Sequence, residues 1–123
     1  MKELAYISTP EGLVFDDDIL AILQSSRRRN ARLGVTGLLL YDAAQFFQLI
    51  EGEDEVVDSL FRTIASDSRH RDVRVLSEDP IARRAFSSWT MGYRRIDARL
   101  HDMGLLGGDR RERVGPTLAH MFN

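Results

Sequence analysis

Two apolar runs separated by a short turn occupy the middle of the chain, Val35 to Tyr41 (VTGLLLY) and Gln45 to Glu51 (QFFQLIE), with Asp42-Ala43-Ala44 between them and Gly52 after them. Short runs of this kind, apolar with almost no alternation, read as strands buried on both faces. Gln48 breaks the pattern. In Phe46-Phe47-Gln48-Leu49-Ile50, period-two alternation puts Phe46, Gln48 and Ile50 on one face and Phe47 and Leu49 on the other. A buried amide without partners costs about 1–3 kcal/mol, so Gln48 needs hydrogen-bond partners from elsewhere in the chain.

The flanking sequence supplies the rest of a sheet and its covering helices. Leu4 to Ser8 is a strand with Leu4, Tyr6 and Ser8 on one face, and Thr9-Pro10-Glu11-Gly12 is a loop. Asp16 to Asp18 cap and charge the start of a first helix. Its stripe of Ile19, Ile22, Leu23, Ser26 and Asn30 turns polar where leucine would be expected. Arg27, Arg28 and Arg29 read as a solvated helix end, suited to the negative end of the dipole. A second helix opens on Glu53-Asp54-Glu55 and carries Val56, Val57, Leu60, Phe61, Ile64 and Ala65 as its apolar stripe. Val73 to Ser77 is a strand, Glu78-Asp79-Pro80 a loop and Phe86 to Ile96 a last strand, with Trp89, Met91 and Tyr93 on one face. In the tail, Leu100, Met103, Leu105 and Leu106 suggest a short helix broken by Gly107-Gly108. Asp109 then caps a last helix to Met121, interrupted by Gly115-Pro116. The order β-α-β-β-α-β-β is an α+β, ferredoxin-like plan plus one strand. It makes a five-stranded mixed sheet with two helices on one face. The expected division is a domain over residues 1–97 and a helical extension over 98–123 that packs on the sheet or on a partner.

A chain of 123 residues is enough for one core. Its net charge of −2 makes no electrostatic case for nucleic acid or membrane binding. No segment approaches the roughly 18 apolar residues of a membrane span, and the start has no signal-peptide run; a cytoplasmic protein is the expectation. The absence of cysteine excludes disulfides, thiolate metal sites and cysteinyl adducts. His70, His101 and His120 lack ligand spacing, so no metal site is expected. Phosphate-binding and hydrolase motifs are missing as well. What remains is Tyr6, Asn30 and Gln48, polar groups from three elements directed at one interior. Convergent polar groups in an apolar setting are how a ligand's orientation is set. They suit a flat ligand with an apolar body and an amide-like edge, since Asn and Gln each both donate and accept.

With those residues in place, the chain resembles the BLUF domains, blue-light sensors that use a flavin. The resemblance runs from about Leu4 to Tyr93. It rests on LAYIS with Tyr6, SRRRNARLGVTGLLLY with Asn30, FFQLIEG with Gln48, IASDSRH with His70, the PIARRAF run, and Trp89-Thr90-Met91. It implies a non-covalent FAD, with FMN or riboflavin as possible substitutes, held between the two helices. Asn30 and Gln48 would bond the polar edge of the ring, with Tyr6 bonded to Gln48. Ile22, Phe46 and Ile64 would line its apolar faces, Asp67, Arg69 and His70 would surround its far side, and Met91 would stand close by. Arg29 departs from the family's usual asparagine and ranks below Asn30, and Ala43-Ala44 stands where a glycine is common.

The resemblance also implies a mechanism without an enzymatic reaction. Tyr6 gives an electron and a proton to the light-excited flavin, with Gln48 as relay, and their return leaves Gln48 rotated or tautomerised. Trp89 and Met91 are the candidates for carrying the signal outward by exchanging places beside Gln48. The implied partners are a separate downstream effector protein and a second copy of the chain in a homo-oligomer. Against this stand two alternatives on the same plan, an acylphosphatase-like hydrolase using Arg28, Arg29 and Asn30, and a regulatory module that binds a small ligand but no flavin.

Overall fold

The computed structural model describes residues 1–97, 99 and 114–122. The chain runs β1 (Lys2–Pro10), α1 (Asp16–Leu33), β2 (Thr36–Tyr41), β3 (Phe46–Gly52), α2 (Asp54–Ala65), β4 (His70–Pro80), β5 (Gly92–Arg95) and α3 (Val114–Phe122). The expected helix over Leu100 to Leu106, the Gly107-Gly108 break and the Asp109 cap lie outside the described residues.

The five strands form one mixed sheet in the order β4-β1-β3-β2-β5. β1 is antiparallel to both β3 and β4, β2 is antiparallel to β3, and β5 joins β2 in parallel. This is the expected ferredoxin-like order with one strand added at the β2 edge. The hairpin strand β3 is the central one, and every residue of it is buried. Parity then divides the core. Leu4, Tyr6, Leu39, Tyr41, Phe46 and Ile50 face the helices and pack with Ile19 and Leu23 of α1 and Val57 and Leu60 of α2. Ala5, Ile7, Leu38, Leu40, Phe47 and Leu49 face the other way, against Phe86 and Leu118 of α3. The two-sided apolar strands thus have a layer on each side.

Several local expectations need correction. Helix α1 begins one residue earlier than its acidic run suggests: Phe15 is the N-cap, and its backbone N–H donates to Asp18 Oδ2 at 2.8 Å. Asp16 to Asp18 occupy the first turn, where their charge suits the dipole. Gly34 closes the helix in the left-handed region at φ 70°, which glycine adopts without a Cβ penalty. Strands β1 and β4 extend through Thr9-Pro10 and Glu78-Asp79-Pro80, both expected to be loops, because the two strands pair along their length from Lys2 opposite Pro80 to Pro10 opposite His70. Lys2 Nζ ties that end, donating to Asp58 Oδ1 at 2.6 Å and to Glu78. The last strand is only Gly92–Arg95, not Phe86 to Ile96. The Phe86 N–H is taken by the Glu51 carboxylate at 2.7 Å instead of a neighbouring strand, and residues 86–91 turn. Gly115 and Pro116 lie in the first turn of α3, where proline's missing N–H is no loss.

The hairpin turn is closed by Asp42 Oδ1, which accepts the backbone N–H groups of Ala44 at 2.9 Å and Gln45 at 2.7 Å. Ala43 is held exposed at φ 74°, which costs a side chain about 1 kcal/mol that glycine avoids. Ala43→Gly is therefore expected to raise the urea midpoint by the equivalent of a few tenths to about 1 kcal/mol with an unchanged slope. A lowered midpoint would refute the strain.

Candidate functional site

The sheet register decides the partners of Gln48. Tyr6 on β1 and Leu39 on β2 are its direct neighbours across the two ladders. All three side chains face the helices, and the Tyr6 hydroxyl donates to Gln48 Oε1 in a buried hydrogen bond. On its other side the amide turns Nε2 towards Met91 Sδ at 3.7 Å. Thioether sulfur is a weak acceptor, so Gln48 is firmly held at its oxygen and loosely held at its nitrogen. Phe61 of α2 packs its ring 5.3 Å from that of Tyr6, tilted by 59°.

A cavity of about 160 Å³ opens beside this pair, between α1, α2 and the sheet. Ile22, Leu39, Phe46 and Ile64 supply its apolar wall. Tyr6, Ser8, Ser26, Arg29 and Gln48 supply its polar groups, and Asp67, Arg69 and His70 stand at its α2 end. A void of about 150 Å³ holds one benzene ring, so the space admits an aromatic system. The donor set suits one with carbonyls on one edge. Among the described residues the Gln48 amide N–H meets only the Met91 sulfur, and the Arg29 guanidinium bonds Asn30 Oδ1 but no carboxylate. The residues of this open cleft therefore fit the carbonyl edge and apolar faces of a flavin ring.

Electrostatics shape the same space. Burial pushes the Tyr6 phenol well above its ordinary pKa of 10.0, against a smaller opposing pull from Arg29. Burial likewise lowers the Arg29 pKa, with Arg32 acting in the same direction and Tyr6 opposing. At the mouth, Asp67 is drawn down to about 2 by the side-chain hydrogen bonds of Arg69, helped by the Arg69 backbone N–H at 3.0 Å. The Tyr6 shift has a consequence for pH. A phenol with a raised folded pKa contributes stability that is fully present below the unfolded value near 10 and is lost as pH rises from there through the raised folded value. The stability difference between wild type and Tyr6→Phe is expected to stay constant from neutral pH to about pH 9 and to move against wild type above pH 10. Urea midpoints across that range check it; a change setting in near neutral pH would contradict the burial.

Most of the residues singled out in the sequence come together here: Tyr6, Ile22, Phe46, Gln48, Ile64, Asp67, Arg69 and His70 all line the cavity. Asn30 and Met91 stand behind its wall. Asn30 is fully buried; its Nδ2 donates to Thr90 O at 2.7 Å and its Oδ1 accepts from Arg29 Nε at 3.2 Å. Arg29, ranked lower on sequence, is the one on the cavity wall. Trp89 and Met91 do not share a face, in contrast to the sequence expectation. Met91 is buried with the helix-side core beside Gln48, while Trp89 packs 5.5 Å from the Phe86 ring on the opposite side of the sheet. Alternation holds only within a ladder, and residues 86–91 are not in one. Ser8, Leu39 and Phe61 were missed as site residues; Ser8 shares a face with Tyr6, which was the available signal. Arg27 is no free helix end, because its Nε donates to Met91 O at 2.9 Å.

Comparison with known proteins agrees with this geometry. The family model for BLUF, sensors of blue-light using FAD, matches residues 1–92. The alpha-like protein FB of the photoactivated adenylate cyclase of Euglena gracilis is 44% identical over 99 residues, which is 79% of this chain and 10% of the cyclase protein. The chain spans between 7% and 10% of the length of the first cyclase relatives it matches. Among solved structures, the dark-state structure of the BLUF protein BlrB superimposes with a TM-score of 0.84 at 34% identity, covering 98% of this chain and 96% of that one. BlrP1 of Klebsiella pneumoniae with FMN and cyclic diGMP gives 0.75 at 32% identity, over 98% of this chain and 34% of that one. With its ferredoxin-like sheet, its Tyr6–Gln48 pair and these matches, the chain belongs to the BLUF family of blue-light sensors using FAD.

Proposed function

We propose that Tyr6 and Gln48 are the photoactive pair of this sensor and that Met91 reads the state of the Gln48 amide. The observation that carries the reading is the continuous path Tyr6 Oη, Gln48 Oε1, Gln48 Nε2, Met91 Sδ, which starts on the cavity wall and ends behind it. FAD, when bound, supplies the absorption of blue light and the oxidising power. Tyr6 holds its proton in the resting protein, because burial disfavours the phenolate. On losing an electron the phenol becomes acidic, and Gln48 Oε1 is the acceptor already bonded to it. When proton and electron return, the amide can settle the other way round, with Nε2 donating to the Tyr6 oxygen. That turn releases the weak thioether contact of Nε2 and exchanges the Tyr6 O–H bond to Oε1 for an N–H bond from Nε2 to the Tyr6 oxygen. Arg29 and the Gln48 amide would orient the carbonyl edge of a bound ring, Ile22, Leu39, Phe46 and Ile64 would exclude water from its faces, and Asp67, Arg69 and His70 would border the side chain of the cofactor.

Residues 1–97 form the sensing unit in this reading, and residues 98–123 form an extension through which α3, seated on the back of the sheet, passes the state to an effector or to a second copy of the chain. The relatives support a signalling role, since light-regulated cyclases are among them. The experiment is an absorption spectrum of the purified chain loaded with FAD, before and after blue light. A shift to longer wavelength that reverses in darkness is the expected result. A static spectrum would overturn the reading. Loading with FMN or riboflavin in parallel tests how far the cofactor's tail contributes to binding.

A further inference from the structure

The segment that joins β4 to β5 is held from both sides of the sheet. Near its end three successive carbonyls are taken: Trp89 O by the Gly37 N–H at 2.9 Å, Thr90 O by Asn30 Nδ2 at 2.7 Å and Met91 O by Arg27 Nε at 2.9 Å. Near its start a single carboxylate does the holding. Glu51 Oε2 accepts the Ala85 N–H at 2.9 Å, and Oε1 accepts the Phe86 N–H at 2.7 Å and the Thr36 hydroxyl at 2.8 Å. Arg84 Nη1 completes the cluster, donating to the Glu51 backbone oxygen and to Thr36 Oγ1, each at 3.0 Å.

Glu51 is fully buried on β3 among apolar neighbours of the same face, Phe47 and Leu49. A charge in such a place is tolerated only when its oxygens are bonded. A side chain whose task was to fill space would be apolar there. Parity adds the functional connection. Gln48 and Glu51 lie three residues apart on the central strand and point to opposite faces, so one rigid strand carries both the amide and the anchor of the segment that ends at its neighbour Met91. Four residues separate Phe86 from Met91, which leaves little slack between anchor and sulfur.

We propose that Glu51 is a positioning residue of the light response: by pinning the 84–86 turn from the back of the sheet, its carboxylate sets where Met91 meets Gln48. The proposal rests on the photoactive role assigned to Gln48 above. Glu51 does not line the cavity, so it acts through Met91 and not on the cofactor.

The test uses the full chain loaded with FAD and compares wild type, Glu51→Gln, Met91→Ala and the double variant. Glutamine keeps the shape and one acceptor but turns an NH2 towards one of the two backbone donors. Glu51→Gln is expected to retain the flavin and the red shift while recovering in darkness about tenfold faster, the factor corresponding to one lost hydrogen bond to a charged acceptor. In the Met91→Ala background the same substitution is expected to change recovery less than about twofold, whereas a merely structural effect would add in full. Unaltered recovery in Glu51→Gln, or an undiminished effect in the double variant, would overturn the proposal. A wild type that does not respond to light would instead overturn the reading it rests on, which keeps the two failures apart. Thr36→Val, which removes the hydroxyl that bonds Glu51 Oε1 and accepts from Arg84 Nη1, is expected to accelerate recovery in the same direction by a smaller factor. It serves if the glutamine variant does not fold, and unchanged recovery in it would then count against the proposal.

Discussion

Replacing Gln48 with leucine is expected to leave FAD bound and to abolish the light-induced shift. The residue sits on the central strand between Tyr6 and Leu39 with 6% of its surface exposed, so an aliphatic side chain of similar size packs in its place. The substitution strands the Tyr6 hydroxyl without its buried acceptor, which costs about 1–3 kcal/mol, partly offset by the apolar area gained. Stability therefore changes modestly while the response vanishes, because leucine has no amide to turn. Tyr6→Phe approaches the same bond from the other end. It removes the donor to Gln48 Oε1 and the ring that can give up an electron and a proton together, and it too is expected to bind flavin without shifting. The measurement is the difference spectrum under blue light with bound flavin quantified separately. A normal, reversible shift in either variant would remove that residue from the mechanism.

The second large effect concerns Gly37. A Cβ placed there would stand 2.0 Å from Leu49 O and 3.0 Å from the Leu49 carbonyl carbon. Both belong to the backbone of the paired strand, so no side chain can swing away. Gly37 also donates its N–H to Trp89 O. Gly37→Ala is expected to force β2 and β3 apart at that point, to cost about 3 kcal/mol or more and to lower the melting temperature by about 10 °C or more. It is also expected to loosen the segment before β5. Thermal unfolding monitored by circular dichroism checks it, and a melting temperature within about 2 °C of wild type would show that the strands accommodate the methyl group.

Much of this architecture is legible in the residues. The two-sided apolar runs around Asp42-Ala43-Ala44 place the hairpin at the centre of the sheet, and the structure has β3 there. Polar residues on the apolar stripe of α1 point to a site, and both are buried: Ser26 lines the cavity and Asn30 backs it. Strand ends are less legible, because Thr9-Pro10 and Glu78-Asp79-Pro80 have the composition of loops and become strand only through each other. The arginines of α1 are the clearest case of tertiary override. Three consecutive cations at a helix end look solvated, yet Arg27 bonds Met91 O and Arg29 lines the cavity. Neighbours on a helix project about 100° apart, and only the docking of α1 on the sheet decides which of them meets the site.

By itself the sequence determined the order of elements, through local periodicity, and the family with its Tyr6–Gln48 pair, through the resemblance of its motifs. Parity groups Tyr6 with Leu4 and Ser8, and Gln48 with Phe46 and Ile50, without saying which face of the sheet meets the helices. Tertiary structure alone decided that Tyr6 and Gln48 stand directly opposite, that Arg29 comes to the cavity lining while Asn30 bonds Thr90 O, and that Met91 lies beside Gln48 while Trp89 lies behind the sheet. The reason is that register and face in an irregular segment are set by bonds to distant residues. Here those bonds are the grips of Glu51, Gly37, Asn30 and Arg27 on residues 85–91, and no local pattern in the chain encodes them.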